Sequence, residues 1–280
     1  FNRKRAMQII EHIIEKYFNS GCNFHFEVGA DLFDEELINL LGRAPKGLIQ
    51  FEAGVQSTNR DSLAEVCRNT NIERLIKNLK IFREMGNIHI HADLIAGLPR
   101  EDFNSFRKSF NDLYNARPHQ LQLGFLKFLK GTMLRENAGR YGYEYNSFAP
   151  YEILSGKWIS YDELIILKGI AEIIERYYNS GRFAVSIEYL IREYFQTPFD
   201  FYEGFYLFHK KNGYLDINIG LRDLYVLLDN YSAEFISEID RKILRQLMKL
   251  DFLSSDNSGR LPEFLSGKAD SGFNDLCFEF

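Results

Sequence analysis

Four stretches of the chain alternate between apolar and polar residues. Phe24, Phe26 and Val28 oppose Asn23, His25 and Glu27. Ile49, Phe51, Ala53 and Val55 oppose Gln50, Glu52, Gly54 and Gln56. Ile90, Ala92 and Leu94 oppose His89, His91, Asp93 and Ile95, and Leu121, Leu123 and Phe125 oppose Gln120, Gln122 and Gly124. A period of two places successive side chains on opposite faces of a strand, so strands are predicted over 23–28, 48–56, 88–95 and 120–128. Between them apolar residues recur at helical spacing over 34–41, 61–66, 71–85 and 101–114, and a further helix over 2–18 comes first. Asn19-Ser20-Gly21 closes that first helix, and Pro99 and Pro118 bracket the last. Strand, helix and strand in steady succession are the mark of parallel βα units.

The polar faces choose between architectures. A parallel sheet with helices on both sides reads apolar on both faces, whereas one polar face per strand fits a barrel wall with helices outside and a polar lumen. The expectation is an α/β fold, an incomplete parallel (βα) partial barrel over 1–147. A mainly α-helical domain follows over 148–280, with helical runs at 161–178, 185–194, 221–228 and 233–250. The aromatic-rich stretch FQTPFDFYEGFYLFHKKNGY at 195–214 interrupts them, and the turn-rich tail from about 254 reads as loosely ordered.

Composition narrows the partners. The net charge is −5, and apart from Arg3-Lys4-Arg5 the basic residues are dispersed, which gives no nucleic-acid footprint. No apolar run approaches the roughly 20 residues of a membrane span, and no secretory signal opens the chain. Cys22, Cys67 and Cys277 are too few and too scattered for a zinc site or a disulfide framework, which points to a reducing, cytoplasmic compartment. Cys67 reads as a buried helix residue. The expected partner is a small-molecule substrate, and self-association is left open.

The chemistry concentrates in HIHADLIAGLPRE, residues 89–101. His89, His91 and Asp93 share a strand face and are metal-ligand types, so a metal-dependent barrel hydrolase is one reading. Alternate residues on a strand lie about 6.6 Å apart, which usually lets only two reach one ion. A hydrogen-bonded lumen network or a substrate contact is the stronger reading. Gly97-Leu98-Pro99 lies at the carboxyl end of a strand, where parallel α/β folds bind ligands and glycine lets the backbone come close. The plain alternative is a strand-to-helix connection. In FEAGVQSTNRDSLAEVCR, residues 51–68, Glu52, Gly54 and Gln56 share the inward face, Asn59 or Asp61 caps a helix, and Arg68 follows it.

These two motifs, with LQLGFLKFLKGT at 121–132, resemble the later half of a radical S-adenosylmethionine (AdoMet) enzyme core. The resemblance is strongest to the branch with a cobalamin-binding domain, which includes proteins labelled magnesium-protoporphyrin IX monomethyl ester oxidative cyclase. PYEILSGKWISYDELIILK at 150–168 and YYNSGRF at 177–183 resemble a helical C-terminal domain of unknown function found in part of that branch. The resemblance implies a partial barrel that binds AdoMet and a four-iron four-sulfur cluster, with cobalamin as a further cofactor of the branch. It implies reductive cleavage of AdoMet to a 5'-deoxyadenosyl radical by an oxidoreductase or transferase.

Carried over, Gln56 and Asp93 match contacts to the AdoMet ribose, with Glu52 a polar position on the same strand as Gln56. Arg68 matches a partner of the methionine carboxylate. Ile95 and Gly97 match backbone packed on adenine, and Gly124 and Phe125 lie where the next strand closes over it. His25, Glu27, His89 and His91 become candidates for substrate contact. The family's cluster loop, CxxxCxxC, is missing from these residues, and the opening helix resembles the one after the second barrel strand. The resemblance therefore places two strands and the cluster loop before Phe1. The 280 residues alone are expected to hold no metal or cofactor and to be inactive. Alternatives are a cobalamin-dependent radical methyltransferase or methylthiotransferase, the barrel hydrolase, and a non-catalytic interaction module docking through Phe195–Phe208, whose aromatics read more simply as core.

Overall fold

Short polar residues set the starts of the helices. Asn2, Asp34, Asn59, Asn71 and Asp102 each accept a hydrogen bond from a backbone N–H in the first turn of the helix that follows. The computed structural model describes residues 2–255 and 261–266, and the chain forms two compact units, 1–168 and 169–280.

In the first unit α1 (Arg3–Tyr17), β1 (Phe24–Val28), α2 (Glu35–Leu41), β2 (Ile49–Gln56), α3 (Arg60–Glu65), α4 (Ile72–Met85), β3 (His89–Ala96), α5 (Phe103–Tyr114) and β4 (Gln120–Phe125) follow in order. The strands form one parallel sheet in the order β1-β2-β3-β4. This is the expected partial βα barrel. Ile49, Phe51, Ala53 and Val55 on β2 and Ile90, Ala92 and Leu94 on β3 are buried, whereas the alternate positions are only partly covered. Phe82 of α4 and Phe33 close on the ring of Phe51 at 5.6 and 5.4 Å. Burying each such ring contributes about 1.5–3 kcal/mol.

Three features of this unit depart from the sequence reading. The fourth strand ends at Phe125, not 128. Leu126 still donates to Ala96, but Phe128 N–H then donates to Tyr151, and Ile153 N–H donates to Leu126. The chain thus leaves the sheet to meet an antiparallel pair, β5 (Glu144–Tyr145) and β6 (Ile153–Ser155), after the short α6 (Met133–Glu136). Such brief strands carry no readable period. Cys67 is exposed and not in a helix. Helix α3 stops at Glu65, and Cys67 takes a φ of 56° while Arg68 N–H reaches back to Leu63, a left-handed helix end.

Helix α7 (Tyr161–Tyr177) leads into the second unit, which contains α8 (Ala184–Tyr194), α9 (Pro198–Lys211), α10 (Leu221–Ser232) and α11 (Glu238–Ser255). The aromatic stretch is therefore a helix and not an interruption. Thr197 caps it, Pro198 occupies the first turn, and Phe199, Phe201, Tyr202, Phe205 and Tyr206 are at most 1% exposed. These rings are core, the simpler of the two readings of the stretch, while Leu207 stays exposed. Tyr206 lies so close to Gly169 that a Cβ there has no room. The cap position before helix α8 is Phe183, whose side chain accepts nothing, and Asp251 of α11 caps the helix from a distance. Its carboxylate accepts from Val185 N–H at 3.1 Å and from Ser186 N–H and Oγ–H at 2.8 and 2.6 Å. Of the tail expected to be loose, residues 254–255 belong to α11 and Leu265 is buried on a short turn at Glu263–Leu265. Residues 256–260 and 267–280, Cys277 among them, lie outside the described residues.

Candidate functional site

The polar face of the sheet is ordered in rows. Parallel register sets His25, Gln50 and His89 side by side, then Glu27, Glu52, His91 and Gln120. Gly54, Asp93 and Gln122 follow, and Ile95 and Gly124 come last. In parallel α/β folds the carboxyl ends of strands are the ligand end, so Gln56, Asp93 and Ile95 sit at that end and the histidines sit below.

The upper neighbourhood is built around Gly54. A Cβ on Gly54 would come within 2.7 Å of Gln56 Nε2 and 3.0 Å of Arg68 Nη2, so glycine makes space for both side chains. The register against β3 slips between Gly54 and Gln56, and Gln56 adopts a φ of 69°. Ser57 N–H donates to Val55 O at 2.9 Å across this kink. The left-handed conformation is costly for a residue with a Cβ and persists only where neighbours impose it. The kink delivers Gln56 Nε2–H to Asp93 Oδ2 at 2.9 Å, while Arg68 Nη2–H donates to Gly54 O at 2.5 Å. Burial pushes the Asp93 carboxyl up to about 6, and the Glu52 charge adds to it. Arg68 and the bond from Gln56 oppose the shift.

The lower neighbourhood is imidazole-rich. His91 Nε2 lies 3.1 Å from Gln50 Nε2, and His25 Nε2 lies 3.3 Å from Glu52 Oε2. The His89 ring sits 4.9 Å from that of His91 and 4.7 Å from that of His119. His119 Nδ1 accepts from Ile90 N–H at 3.2 Å. Burial, with Arg83 nearby, presses His119 down to about 4, and burial lowers His89 as well. Among the described residues no three His, Cys, Asp or Glu side chains meet as metal ligands. The His-x-His-x-Asp run is split: its histidines join the imidazole group and Asp93 joins Gln56.

The remaining candidates take varied places. Ile95 stands opposite Gly124 on the polar face. Phe125 pairs with Ala96, which gives it the parity of the apolar face, and the Lys168 ammonium lies 5.4 Å from its ring. Gly97 has a φ of 91°, its carbonyl accepts from Tyr143 Oη–H at 2.8 Å, and the space beside its Cα is taken by Ile153.

Two residues went unread in the sequence. His119 lies just beyond Pro118 and carries no strand signal. Glu101 looked like part of a helix start but is only 1% exposed. Its Oε1 accepts from Ser57 Oγ–H at 2.5 Å and Ser109 Oγ–H at 2.8 Å, and burial pushes it up to about 7.

Residues 2–113 match the model of the radical SAM superfamily. Residues 139–280 match the family described as protein of unknown function DUF4080, and the chain belongs to that family. The oxygen-independent coproporphyrinogen-III oxidase-like protein HemZ of Bacillus subtilis is 29% identical over 111 residues, covering 40% of this chain and 22% of that protein. The chain thus spans about a fifth of the length of that relative. Coproporphyrinogen III oxidase HemN from Escherichia coli, a radical SAM enzyme, superposes with a TM-score of 0.45 at 19% identity, covering 63% of this chain and 37% of its own. The radical AdoMet methyltransferase TsrM from Kitasatospora setae, with tryptophan and an AdoMet analogue bound, gives 0.45 at 16% identity, covering 54% and 31%. Among the described residues no helix is long and apolar enough to cross a membrane.

Proposed function

We propose that the carboxyl-end rows of this sheet are the AdoMet-binding wall of a radical enzyme acting on a small-molecule substrate. The observation that carries this is the kink at Gln56, which spends backbone strain to aim one amide at Asp93 above a glycine cradle shared with Arg68. In this reading Asp93 accepts the ribose hydroxyls and Gln56 holds the Asp93 carboxylate and bonds the same diol. Arg68, which spends one N–H on Gly54, turns its remaining donors to the methionine carboxylate. Ile95 and Gly97 pack on adenine, with Gly124 and Phe125 on the strand that closes over it. Glu52 belongs to the AdoMet wall as a polar position on the strand of Gln56, and His25, Glu27, His89 and His91 face the substrate below.

Gln56, Asp93 and Arg68 would hold AdoMet, which would supply hydrogen-abstraction chemistry at this wall. The cysteines here do not fit the four-iron four-sulfur cluster that the resemblance implies. Cys22 precedes β1, Cys67 follows α3, and neither belongs to a CxxxCxxC loop. Oxidative-cyclase-like chemistry on a tetrapyrrole or a related substrate, with cobalamin as a further cofactor, is the reaction we assign by resemblance. Cobalamin-dependent methyl transfer is the second reading.

The test is AdoMet binding by isothermal titration of the full gene product, wild type against Asp93→Ala. The variant is expected to bind at least about ten-fold more weakly, a loss of roughly 1.4 kcal/mol, with the cluster absorbance unchanged. Equal affinity refutes the ribose assignment.

A further inference from the structure

Glu101 is buried beyond the reach of solvent, contributes nothing to the polar face, and yet ties together the two turns that shape it. One oxygen, Oε1, receives the hydroxyls of Ser57 and Ser109. The other, Oε2, is buried and has no partner among the described residues. Ser57 immediately follows Gln56, and its own Oγ also accepts from Asn59 N–H at 2.9 Å. Ser109 Oγ accepts from Thr58 N–H at 3.0 Å, and Thr58 Oγ1–H donates to Asp112 at 2.7 Å. Asn59 Nδ2–H crosses to Arg100 O at 3.0 Å and to Ser105 Oγ at 2.8 Å. The turn after β2, the turn after β3 and helix α5 are thus one polar knot with Glu101 at its centre.

We infer that Glu101 is the positioning residue of this site. It holds Ser57 so that Gln56 stays in its left-handed conformation and its amide stays aimed at Asp93. The inference rests on the AdoMet reading for its ligand alone, because the knot and the kink are independent of what binds. A residue with a Cβ at a φ of 69° relaxes toward extended backbone unless its neighbour is anchored. Here the anchor is a pair of hydroxyl bonds to one buried oxygen. A neutral acceptor of the same shape suffices for those bonds, so the amide of glutamine should replace the carboxyl.

The test compares Glu101→Gln and Glu101→Ala with wild type in the full gene product, with two readouts. The first, without ligand, is amide hydrogen exchange over 54–60 measured against 49–53 in the same strand. The second is AdoMet affinity. Glu101→Ala should speed exchange in 54–60 by about ten-fold or more while 49–53 stays protected, and weaken AdoMet binding by about ten-fold. Glu101→Gln should stay within about two-fold of wild type in both, since it restores an acceptor at Oε1. Should Glu101→Ala fail to fold, Ser109→Ala, which removes one bond to Oε1, should show the same exchange pattern at smaller size. A Gln variant as impaired as the Ala variant overturns the inference, as does unaltered exchange over 54–60 in folded Glu101→Ala. Wild-type protein that protects the turn but binds no AdoMet refutes the ribose reading, and the exchange comparison still decides the role of Glu101.

Discussion

Ile153 occupies the space that Gly97 leaves open. A Cβ on Gly97 would stand 2.8 Å from Ile153 Cδ1, and the φ of 91° is one that only glycine adopts freely. The close backbone approach that the glycine permits is thus used inside the protein, by the strand pair following the sheet. Gly97→Ala is expected to cost roughly 2–4 kcal/mol, part from the backbone and part from the clash. In an Ile153→Val background, which removes the clashing methyl, the cost should fall by roughly 1 kcal/mol or more. Denaturant unfolding of the four proteins measures this, and equal costs in both backgrounds would show that only the backbone matters.

Gln56 separates strain from recognition. Gly at position 56 accepts the φ of 69° without penalty but removes the amide that bonds Asp93. Relief of strain and the added freedom of the unfolded chain nearly offset, so Gln56→Gly should change stability by less than about 1 kcal/mol. AdoMet affinity should nevertheless fall about ten-fold. Melting and titration of one preparation give both quantities. A large stability loss with intact affinity would make Gln56 structural.

Glu101 should leave a signature in the pH dependence of stability. Its carboxyl titrates near 7 in the folded protein, against an ordinary value of 4.5. Between those values the folded state holds the proton more often than the unfolded chain, so stability is lost as pH rises through the window. Glu101→Gln removes this contribution. The stability of the variant relative to wild type should rise from about pH 4.5 to about 7, by at most about 1.4 kcal/mol per pH unit, and level off above. Denaturation midpoints at several pH values test it, and a relative stability that is flat or falls with pH contradicts the assignment.

The sheet was legible because its two faces differ in polarity, and a one-residue slip would have exchanged Ile90 for His91 in the core. For the same reason the place of Gly54 and Asp93 on the polar faces of their strands could be read in advance. The kink at Gln56 could not, since a register slip is a property of two strands together. Glu101 was hidden because a glutamate near a helix start ordinarily reads as solvated, and its burial depends on Ser57 and Ser109 arriving from distant segments. Helix α9 was missed because apolar residues surround much of its circumference, which erases the amphipathic period. Thr197 and Pro198, a cap and a first-turn proline, were the signal that remained.

His209 gives the second unit a pH response of the opposite sign. The imidazole is fully buried, with Nδ1 2.9 Å from Phe205 O and Nε2 3.4 Å from Tyr177 Oη. Burial lowers its pKa to about 4, and the bond to Phe205 opposes the shift only in part. The unfolded chain takes up the proton first as pH falls below 6.5, so stability is lost from there down to about 4. The ring should therefore still be neutral at pH 5, which the chemical shift of its Cε1–H reports. A protonated ring at that pH would mean that the native core opens to water around Tyr177.

Asp251 caps a helix to which it does not belong. It satisfies the first amides of α8 from α11, while the residue at the cap position itself, Phe183, cannot. Asp251→Ala would leave Val185 and Ser186 N–H and the Ser186 hydroxyl without their acceptor in a buried setting, at a cost of about 1–3 kcal/mol. Asp251→Asn keeps one acceptor oxygen and should recover about half. The loss should also be local. Hydrogen exchange should speed in the first turn of α8, at 184–187, before it does in α9, because α9 has its own cap at Thr197. Uniform acceleration across both helices would instead show that Asp251 supports the packing of α11 rather than the start of α8.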